Sequence, residues 1–264
     1  MMINMKVAII AIAKNENQYV NEWIDYHLHI GFDNIIICDN DDELILKDVV
    51  TDERVIIEDY TKVVGVQQLA YRQTFVKYRT EYDWFLFIDI DEFLILENYS
   101  NVKDFLSSYD DSVQCINICW KHFNDNDELD VIDGNYNVFD RFKTQVKTKW
   151  DGIVKAFIKT NIPEPAWERI TQHSIFYYRI KSVDVLGHRH YGKYMRIPIY
   201  KKAWLNHYVT KTIGEYVRQK YFRGGANHNN IKYRNLNNFF RYNTRTKEKE
   251  EYGKKLINEL KQKI

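Results

Sequence analysis

Two aspartates stand at the end of a strongly apolar run. Residues 84–88 are all apolar, Asp89-Ile90-Asp91 follows directly, and more apolar residues come after Glu92. An apolar run of this length with aromatic residues predicts a buried strand over residues 84–90. Because side chains alternate along a strand, we expect Asp89 and Asp91 to point to the same side.

Paired carboxylates in this setting can bind a metal ion. Two neighbouring carboxylates repel each other, and burying them without a partner costs free energy. A divalent cation that prefers oxygen ligands, Mn²⁺ or Mg²⁺, removes both costs, and such a cation commonly carries a diphosphate on its other side. The alternative is that both aspartates only cap the next turn, as a bare Asp-x-Asp in a less apolar context would indicate.

The segments around these aspartates predict an α/β sheet. Residues 7–13 form a first strand, a helical pattern follows as far as Gly31, and residues 34–38 form a second strand. This is a βαβ unit, whose two strands should be parallel with a right-handed crossover. The remaining predicted elements are strands at 55–57, 113–120 and 153–159, a helix at 67–78, an antiparallel edge at 138–149, and a charged helix from Thr244 with Leu256, Ile257, Leu260 and Ile264 at helical spacing.

Polar side chains follow three of the predicted strands where each strand ends. These clusters are Lys14-Asn15-Glu16, Asp39-Asn40 and Asp89-Ile90-Asp91. In an open parallel sheet, ligands bind outside the carboxyl ends of the strands. Each cluster alone is an ordinary turn, but three at the same edge favour a nucleotide site.

Composition and charge limit the classes of protein. A chain of 264 residues with 45% hydrophobic and 15% aromatic content can form one α/β domain with a small appendage. Residues 1–130 contain 10 Lys and Arg against 26 Asp and Glu, whereas residues 131–264 contain 28 against 11. A basic half beside an acidic half suits a nucleotide diphosphate or an anionic membrane surface. No zinc-finger, helix-turn-helix or RNA-recognition pattern is visible, so no nucleic acid partner is expected.

The cysteines and the N-terminal run predict a location. Cys38, Cys115 and Cys119 are odd in number and lack metal-ligand spacing, which predicts three buried free thiols in a reducing compartment. The apolar run 7–13 is too short for a transmembrane helix and lacks a signal peptide's cleavage region. We therefore expect a cytoplasmic protein.

Several segments in a fixed order resemble one enzyme family. The N-terminal ones are Lys14-Asn15-Glu16, Glu22-Trp23-Ile24-Asp25-Tyr26-His27, Gly31-Phe32-Asp33, Asp39-Asn40, Gln68 with Tyr71, and residues 84–94; the later ones are Leu205-Asn206-His207-Tyr208, Lys211-Thr212, Glu215-Tyr216 and residues 220–224. Together they resemble the GT-A glycosyltransferases of the family-2-like group, near the family 92 branch. The chain departs from that pattern at Asn40-Asp41-Asp42-Glu43, where relatives have Asn-x-Ser-x-Asp, and at Asn124, where relatives have glycine.

The resemblance implies a fold and a division of the chain. It implies a GT-A, Rossmann-like fold, with a mixed, mostly parallel sheet flanked by helices and a helical, basic C-terminal extension. The glycosyltransferase domain would span residues 1–225, with residues 1–111 as the half that binds nucleotide and metal and residues 112–225 as the acceptor half. The extension would span residues 226–264.

The resemblance also implies roles for individual residues. Asp91 would ligate the metal, and Asp89 would contact the ribose or hold the metal through water. His207 would complete the coordination; its alternative is a hydrogen-bonded histidine in the core. The implied donor-binding residues are Asn15, Glu16 and Asp39 around the base and ribose, Gln68 and Arg72 on the next helix, and Lys211 with Arg223 at the diphosphate. For Gln68 and Arg72, a solvated helix face is the alternative.

The implied reaction is metal-dependent transfer of a sugar from a nucleotide-sugar to a glycan acceptor, with inversion. A UDP-sugar is favoured because Asp39 and Glu16 can accept hydrogen bonds from base and ribose. Glu164 or Glu168 would be the base, with Asp151 as a competitor. The pathway would be surface polysaccharide or lipid-linked glycan synthesis. The final helix would lie on an anionic membrane surface, or else pack on its own domain or on a second subunit in a homodimer.

Three rival functions fit parts of the sequence. A haloacid-dehalogenase-type phosphatase would use Asp89 as nucleophile, but the chain lacks that family's later acidic pair and has Phe93 where Thr or Val is usual. A sugar nucleotidyltransferase needs a glycine-rich phosphate loop after the first strand, where Lys14-Asn15-Glu16-Asn17 stands. A carbohydrate-binding protein without catalysis would be favoured by loss of Asp91, which is present.

Overall fold

The structure is a computed structural model that describes residues 5–63, 65–223 and 234–262. Within these residues, ten strands join one sheet whose main path runs β3-β2-β1-β4-β8-β6-β10-β5, with β7 and β9 paired to β6. The strands are β1 (Val7–Ala13), β2 (Asn34–Asp39), β3 (Val55–Asp59), β4 (Trp84–Phe87), β5 (Glu92–Leu96), β6 (Cys115–Phe123), β7 (Gln145–Val146), β8 (Val154–Lys159), β9 (Ser182–Asp184) and β10 (Ala203–His207). The helices are α1 (Val20–His29), α2 (Leu46–Val49), α3 (Gln67–Tyr78), α4 (Val102–Ser107), α5 (Val138–Arg141), α6 (Glu164–Trp167), α7 (Ile213–Tyr216), α8 (Leu236–Phe239) and α9 (Lys247–Lys261), together with a π-helix over Val217–Tyr221.

The N-terminal strands form a parallel sheet that changes direction at β1. From β1 the chain adds β2 and β3 on one side, and it then returns to place β4 on the other side. Ile9 in β1 therefore pairs with Ile35 in β2 and with Leu86 in β4. Such a switch point leaves a crevice outside the carboxyl ends of the two strands, where α/β proteins bind their ligands.

Helices cover both faces of this sheet. Val7 and Ile9 lie in the same buried cluster as Trp23 of α1, whereas Ala8 and Ile10 pack with Tyr71 of α3. The alternation along β1 is the period of two that a strand imposes, and because both faces are covered the strand is apolar throughout. The predicted fold class, a mixed and mostly parallel sheet flanked by helices, is confirmed.

The second half of the sheet brings distant segments to the same edge. Strand β8 is antiparallel to both β4 and β6, while β10 is parallel to β6 and antiparallel to β5. In this register His207 at the end of β10 lies opposite Glu92, the first residue of β5, and beside His122 in β6. Pairing of strands thus joins residues more than 80 positions apart in sequence into one site.

The strand predicted over residues 84–90 is shorter than expected. β4 ends at Phe87, and residues 88–91 form a turn into β5. The Glu92 N–H donates to the Asp89 carbonyl over 3.1 Å, which closes this turn. Asp89 and Asp91 are therefore neighbours in a turn rather than on one face of a strand, because the chain leaves the parallel sheet to begin an antiparallel pairing with β10.

Other predictions from the sequence had mixed outcomes. Cys38, Cys115 and Cys119 are buried free thiols, as predicted. The predicted edge at 138–149 is only partly strand, since α5 occupies its start and the two-residue β7 pairs antiparallel with β6. The division of the chain into residues 1–225 and 226–264 stays a prediction.

The predicted C-terminal helix forms, and its apolar side is covered by the same chain. Ile257 of α9 is buried with Ile213, Tyr216 and Phe239, and Leu256 and Leu260 pack against this cluster. This is the alternative in which the helix packs on its own domain; membrane contact of the chain stays a prediction, and Ile264 lies outside the described residues. No helix in the described ranges is both long and apolar enough to cross a bilayer.

Candidate functional site

A cleft opens at the switch point between β1 and β4. Its volume is about 490 Å³. It is lined on one side by residues that follow β1, β2 and β4, and on the other by residues of β6, β10 and the π-helix. The polar and aromatic side chains that line it include Lys14, Glu16, Asn40, Asp42, Gln67, Asp89, Asp91, Trp120, Gln172, His173, His207, Lys220, Arg223 and Tyr242.

Three buried side chains form a candidate metal centre; Asp91 and His207 line the cleft, and Glu92 lies beside them beneath the lining. Asp91, Glu92 and His207 are buried, and one ligand atom from each lies within 4.8 Å of the others. Nε2 of His207 is 3.5 Å from Oδ1 of Asp91 and 4.0 Å from Oε1 of Glu92. The pairing of β5 with β10 positions this group, and the Tyr208 N–H reinforces it by donating to the Asp91 carbonyl over 2.9 Å.

Asp89 has different neighbours from Asp91. Its carboxylate accepts hydrogen bonds from Lys155 Nζ at 2.8 Å, Gln67 Nε2 at 2.9 Å and the Tyr71 hydroxyl at 3.2 Å. These three donors come from β8 and α3. The structure thus gathers Asp91 and His207 with Glu92, whereas the sequence predicted Asp89 as their companion.

Two buried lysines neutralise the acidic turn. Lys155 in β8 contacts Asp89 and also lies 3.4 Å from Oε2 of Glu92. Lys220 in the π-helix contacts Oδ2 of Asp91 and donates to the Val209 carbonyl over 2.6 Å. Lysine is almost never fully buried unless it is paired, so both positions are tied to the carboxylates beside them.

The surroundings shift the pKa values of the three candidate ligands in different directions. Burial alone would raise the pKa of Asp91, but Lys220 and His207 outweigh it and hold the pKa well below its usual value. Burial raises the pKa of Glu92 well above its usual value, with Lys155 opposing. Burial also lowers the pKa of His207 to about 4, against the attraction of Asp91. A neutral imidazole beside an ionised carboxylate suits metal ligation.

Buried polar atoms without a hydrogen-bond partner concentrate around this group. Among the described residues they include Glu92 Oε1, His207 Nδ1, Trp120 Nε1, His122 Nε2 and His173 Nδ1. The rings are neighbours: the His207 centroid is 4.4 Å from that of Trp120 and 5.0 Å from that of His122, and Trp120 is 5.6 Å from His173. Since buried polar groups in proteins are nearly always hydrogen-bonded, this cluster indicates a place that a ligand, ion or water completes.

The predicted nucleotide residues are only partly in the cleft. Glu16 lines it, while Asn15 is exposed outside the lining. Asp39 is fully buried and accepts the backbone N–H groups of Asp41 and Leu46 at 3.0 Å and 3.3 Å. It therefore shapes the turn after β2, and its neighbour Asn40 lines the cleft instead.

The residues predicted on α3, and Lys211 just before α7, are hydrogen-bonded to other parts of the protein. Gln68 donates to Gln172 over 2.8 Å, and Arg72 donates to the Ile170 carbonyl over 2.9 Å. Lys211 donates to Gln219 over 3.1 Å, below the wall of the cleft. None of Gln68, Arg72 and Lys211 is among the described residues that line the cleft, whereas Gln67 is.

The predicted acceptor bases lie elsewhere. Glu164 and Glu168 are exposed at the ends of α6, because this short helix turns Ala166 inward. Glu168 is 4.0 Å from Arg72, outside the cleft. Asp151 is hydrogen-bonded to His122 Nδ1 at 2.6 Å and to Thr148. Glu164 and Glu168 are thus outside the site, whereas Asp151 is linked to it through His122, whose ring centroid lies 5.0 Å from that of His207.

Sequence reasoning missed Glu92, Lys155 and Lys220 as members of the site. One signal was present for Lys155, since it is a lone charge in the apolar run Ile153-Val154-Lys155-Ala156-Phe157. A lysine inside a buried strand needs a carboxylate partner, which the aspartate turn supplies. Glu92 follows the predicted pair directly, and only the pairing with His207 shows that it belongs to the centre.

Comparison with known proteins places the chain in a family. The model for glycosyltransferase family 92 matches residues 7–264. A glycosyltransferase family 92 protein of Ricinus communis is 24% identical over 111 residues, which is 40% of this chain and 20% of that protein, so the match spans about a fifth of its length.

Solved structures show a more distant likeness. TarS of S. aureus is 14% identical, with 59% of this chain and 47% of that one covered and a TM-score of 0.35. A 4-diphosphocytidyl-2C-methyl-D-erythritol synthase of Anaerococcus prevotii is 11% identical, with 62% and 74% covered and a TM-score of 0.36. Because the family model matches residues 7–264, nearly the whole chain, the chain belongs to glycosyltransferase family 92.

Proposed function

We propose that this protein transfers a sugar from a uridine diphosphate sugar to a hydroxyl group of a glycan, with inversion and with Mn²⁺ or Mg²⁺ as cofactor. The observation that carries the proposal is the group formed by Asp91, Glu92 and His207, whose ligand atoms lie within 4.8 Å of one another; Asp91 and His207 line the cleft. Two carboxylates and one imidazole are ligands that Mn²⁺ accepts. The unpartnered Glu92 Oε1 fits the same role.

The distribution of charge in the cleft supports a nucleotide diphosphate as the donor. Lys14, Lys220 and Arg223 line it and can neutralise phosphate oxygens. Glu16 and Asn40 lie at the ends of β1 and β2, where a base and ribose would bind at the switch point. Glu16 can accept from a ribose hydroxyl, and Asn40 is fixed because its amide donates to the carbonyls of Tyr60 and Val63.

The proposed chemistry is displacement at the anomeric carbon: the acceptor hydroxyl bonds to this carbon and releases its proton to water, while the bond to the diphosphate breaks. A cation held by Asp91, Glu92 and His207 would act as a Lewis acid on the leaving diphosphate. Lys220 and Arg223 would bind the same phosphates and add positive charge as the bond breaks. Trp120 and His173, on the opposite wall, would orient the transferred sugar and the acceptor, because their rings are flat and their free N–H or N groups can bond hydroxyls.

The acceptor and the compartment are part of the proposal. We take the acceptor to be a glycan of surface polysaccharide or lipid-linked synthesis, reached from the cytoplasmic side. The excess of 28 basic over 11 acidic residues in residues 131–264 supports an anionic carrier or surface. Turnover of the same glycan with and without a lipid carrier tests the proposed acceptor. Equal turnover of the two forms would contradict a role for the carrier.

Turnover and binding of UDP- and GDP-sugars test the donor and the metal. We expect Mn²⁺-dependent release of UDP, lost in excess chelator and in Asp91→Asn. Asp110→Asn is the matched control, since Asp110 is exposed and outside the cleft, and it should keep full activity. Full activity in chelator would exclude the metal, and tighter binding of GDP than UDP would exclude the donor. Glycan binding without turnover of any donor would indicate a binding protein.

A further inference from the structure

Lys220 occupies the carboxylate that the proposed metal needs. Its ammonium contacts Oδ2 of Asp91, while the other oxygen, Oδ1, faces His207 at 3.5 Å. A cation held by Asp91, Glu92 and His207 would stand a few ångströms from this ammonium. Two positive charges that close repel strongly in a buried site, so the two cannot share Asp91 without a further anion.

The segment that carries Lys220 is unusual and well anchored. Residues Val217–Tyr221 form a π-helix, a rare conformation that occurs mostly at functional sites. Gln219 in the same turn donates to the Asn15 carbonyl over 2.7 Å and to Glu16 over 2.8 Å. The turn therefore joins the loop after β1, on the nucleotide side of the cleft, to the aspartate turn after β4.

On this geometry, and resting on the proposed function, we infer that Lys220 and the divalent cation compete for Asp91, and that the donor diphosphate removes the competition by accepting the Lys220 ammonium. Without nucleotide, Lys220 supplies the positive charge that Asp91 requires. When a diphosphate is present, its negative charge offsets both cations, and Lys220 moves from the carboxylate to a phosphate oxygen. The metal and the nucleotide must then bind with strong positive coupling.

Two further features of Lys220 favour movement of its ammonium from Asp91 to a ligand over a permanent ion pair with Asp91. Lys220 lines the cleft, so its ammonium needs only a rotation of its own side chain to reach a ligand there. Its second contact is the carbonyl of Val209, another residue of the cleft lining, which it can keep while it leaves Asp91. Lys155, by contrast, is held between Asp89 and Glu92 and does not line the cleft.

Titration of Mn²⁺ into the nucleotide-free protein, followed by calorimetry, tests the inference. We expect Lys220→Met to bind Mn²⁺ at least about tenfold more tightly than the unaltered protein, because a competing charge at contact distance is removed. Lys249→Met is the matched control: it removes a buried lysine that is paired with Asp125 and Asp127 and does not line the cleft. It should change Mn²⁺ affinity much less.

The same titrations with saturating UDP give the second readout. In the unaltered protein, UDP should raise Mn²⁺ affinity strongly. In Lys220→Met this increase should be smaller by at least about tenfold, because Lys220 no longer competes with the cation for Asp91. Unchanged or weaker Mn²⁺ affinity in Lys220→Met without nucleotide would overturn the inference even if UDP and Mn²⁺ bind the unaltered protein. Failure of UDP to bind with or without Mn²⁺ would instead contradict the proposed function.

Stability provides a check that does not depend on activity. Lys220→Met leaves Asp91 without its lysine, so Mn²⁺ should raise the melting temperature of the variant more than that of the unaltered protein. If the variant does not fold, Lys220→Gln serves, because its amide can still donate to the Val209 carbonyl without a charge. An equal rise in both proteins would count against competition.

Discussion

The ammonium of Lys155 lies 2.8 Å from Oδ2 of Asp89, and this contact joins β8 to the turn that carries the candidate metal centre. Lys155 is fully buried, and the same ammonium is 3.4 Å from the buried carboxyl of Glu92. The pair therefore ties both Asp89 and Glu92 of this turn to β8.

Removal of Lys155 should cost stability as well as activity. In Lys155→Met, Asp89 and Glu92 lose their buried cation, and breaking a buried pair typically costs about 3–5 kcal/mol. Urea denaturation measures the loss. Lys159→Met is the control, since this lysine at the end of the same strand lies at the surface, where it donates to the Asp111 carbonyl and is 5.5 Å from the Trp84 ring centroid. A loss below about 1 kcal/mol for Lys155→Met would contradict the structural role.

The metal ligands can be distinguished by two conservative substitutions. The structure groups Glu92 with Asp91 and His207, while Asp89 is bonded to Lys155, Gln67 and Tyr71. We expect Glu92→Gln to weaken Mn²⁺ binding in the presence of UDP by more than about tenfold, and Asp89→Asn to weaken it less. Calorimetry or the paramagnetic resonance of free Mn²⁺ measures both. The reverse order would restore the assignment that the sequence favoured.

His27 should make the folded state sensitive to acid. It is fully buried in α1, its Nε2 accepts the Leu94 N–H and its Nδ1–H donates to the Trp23 carbonyl, so both nitrogens are used by the neutral ring. Burial lowers the pKa of His27 to about 3. The unfolded chain binds a proton near pH 6.5 and the folded chain does not, so stability is complete above that pH and falls as pH decreases towards 3.

This one group should remove about 2 kcal/mol of stability between pH 7 and pH 5. Denaturation curves at both pH values, compared between the unaltered protein and His27→Gln, measure the difference. The variant should be less stable at pH 7 but should lose less on acidification. His29→Gln, on the exposed side of the same helix, is the control and should keep the original pH dependence. Identical slopes for all three proteins would disprove the role of His27.

The last helix should act as part of the core. Ile257 is 6% exposed and packs with Ile213, Tyr216 and Phe239, so Ile257→Ala should lower the free energy of unfolding by about 2–4 kcal/mol. Ile197→Ala makes the same change at a side chain that is 77% exposed, and it should cost less than about 0.5 kcal/mol. Equal effects would show that α9 is not held against α7.

The sequence by itself determined most of the elements and the edge of the sheet at which the cleft opens. The apolar run of β1, the helical spacing in α1 and the carboxylates after residue 88 depend only on local pattern. Periods of 2 and 3.6 residues report which side chains are buried, and the end of a parallel strand is a ligand site in any such fold. The sequence also showed the resemblance to the family, through segments such as Asn206-His207-Tyr208, and this resemblance agrees with the family match.

Only the tertiary structure decided which carboxylates face His207. The antiparallel register of β5 and β10 sets Glu92 opposite His207, while Lys155 from β8 contacts Asp89. Strand pairing over such distances depends on the whole sheet, so no local pattern near residue 90 contains it. The same holds for Lys220, which reaches Asp91 across 129 positions of sequence because a π-helix beyond β10 folds back over the cleft.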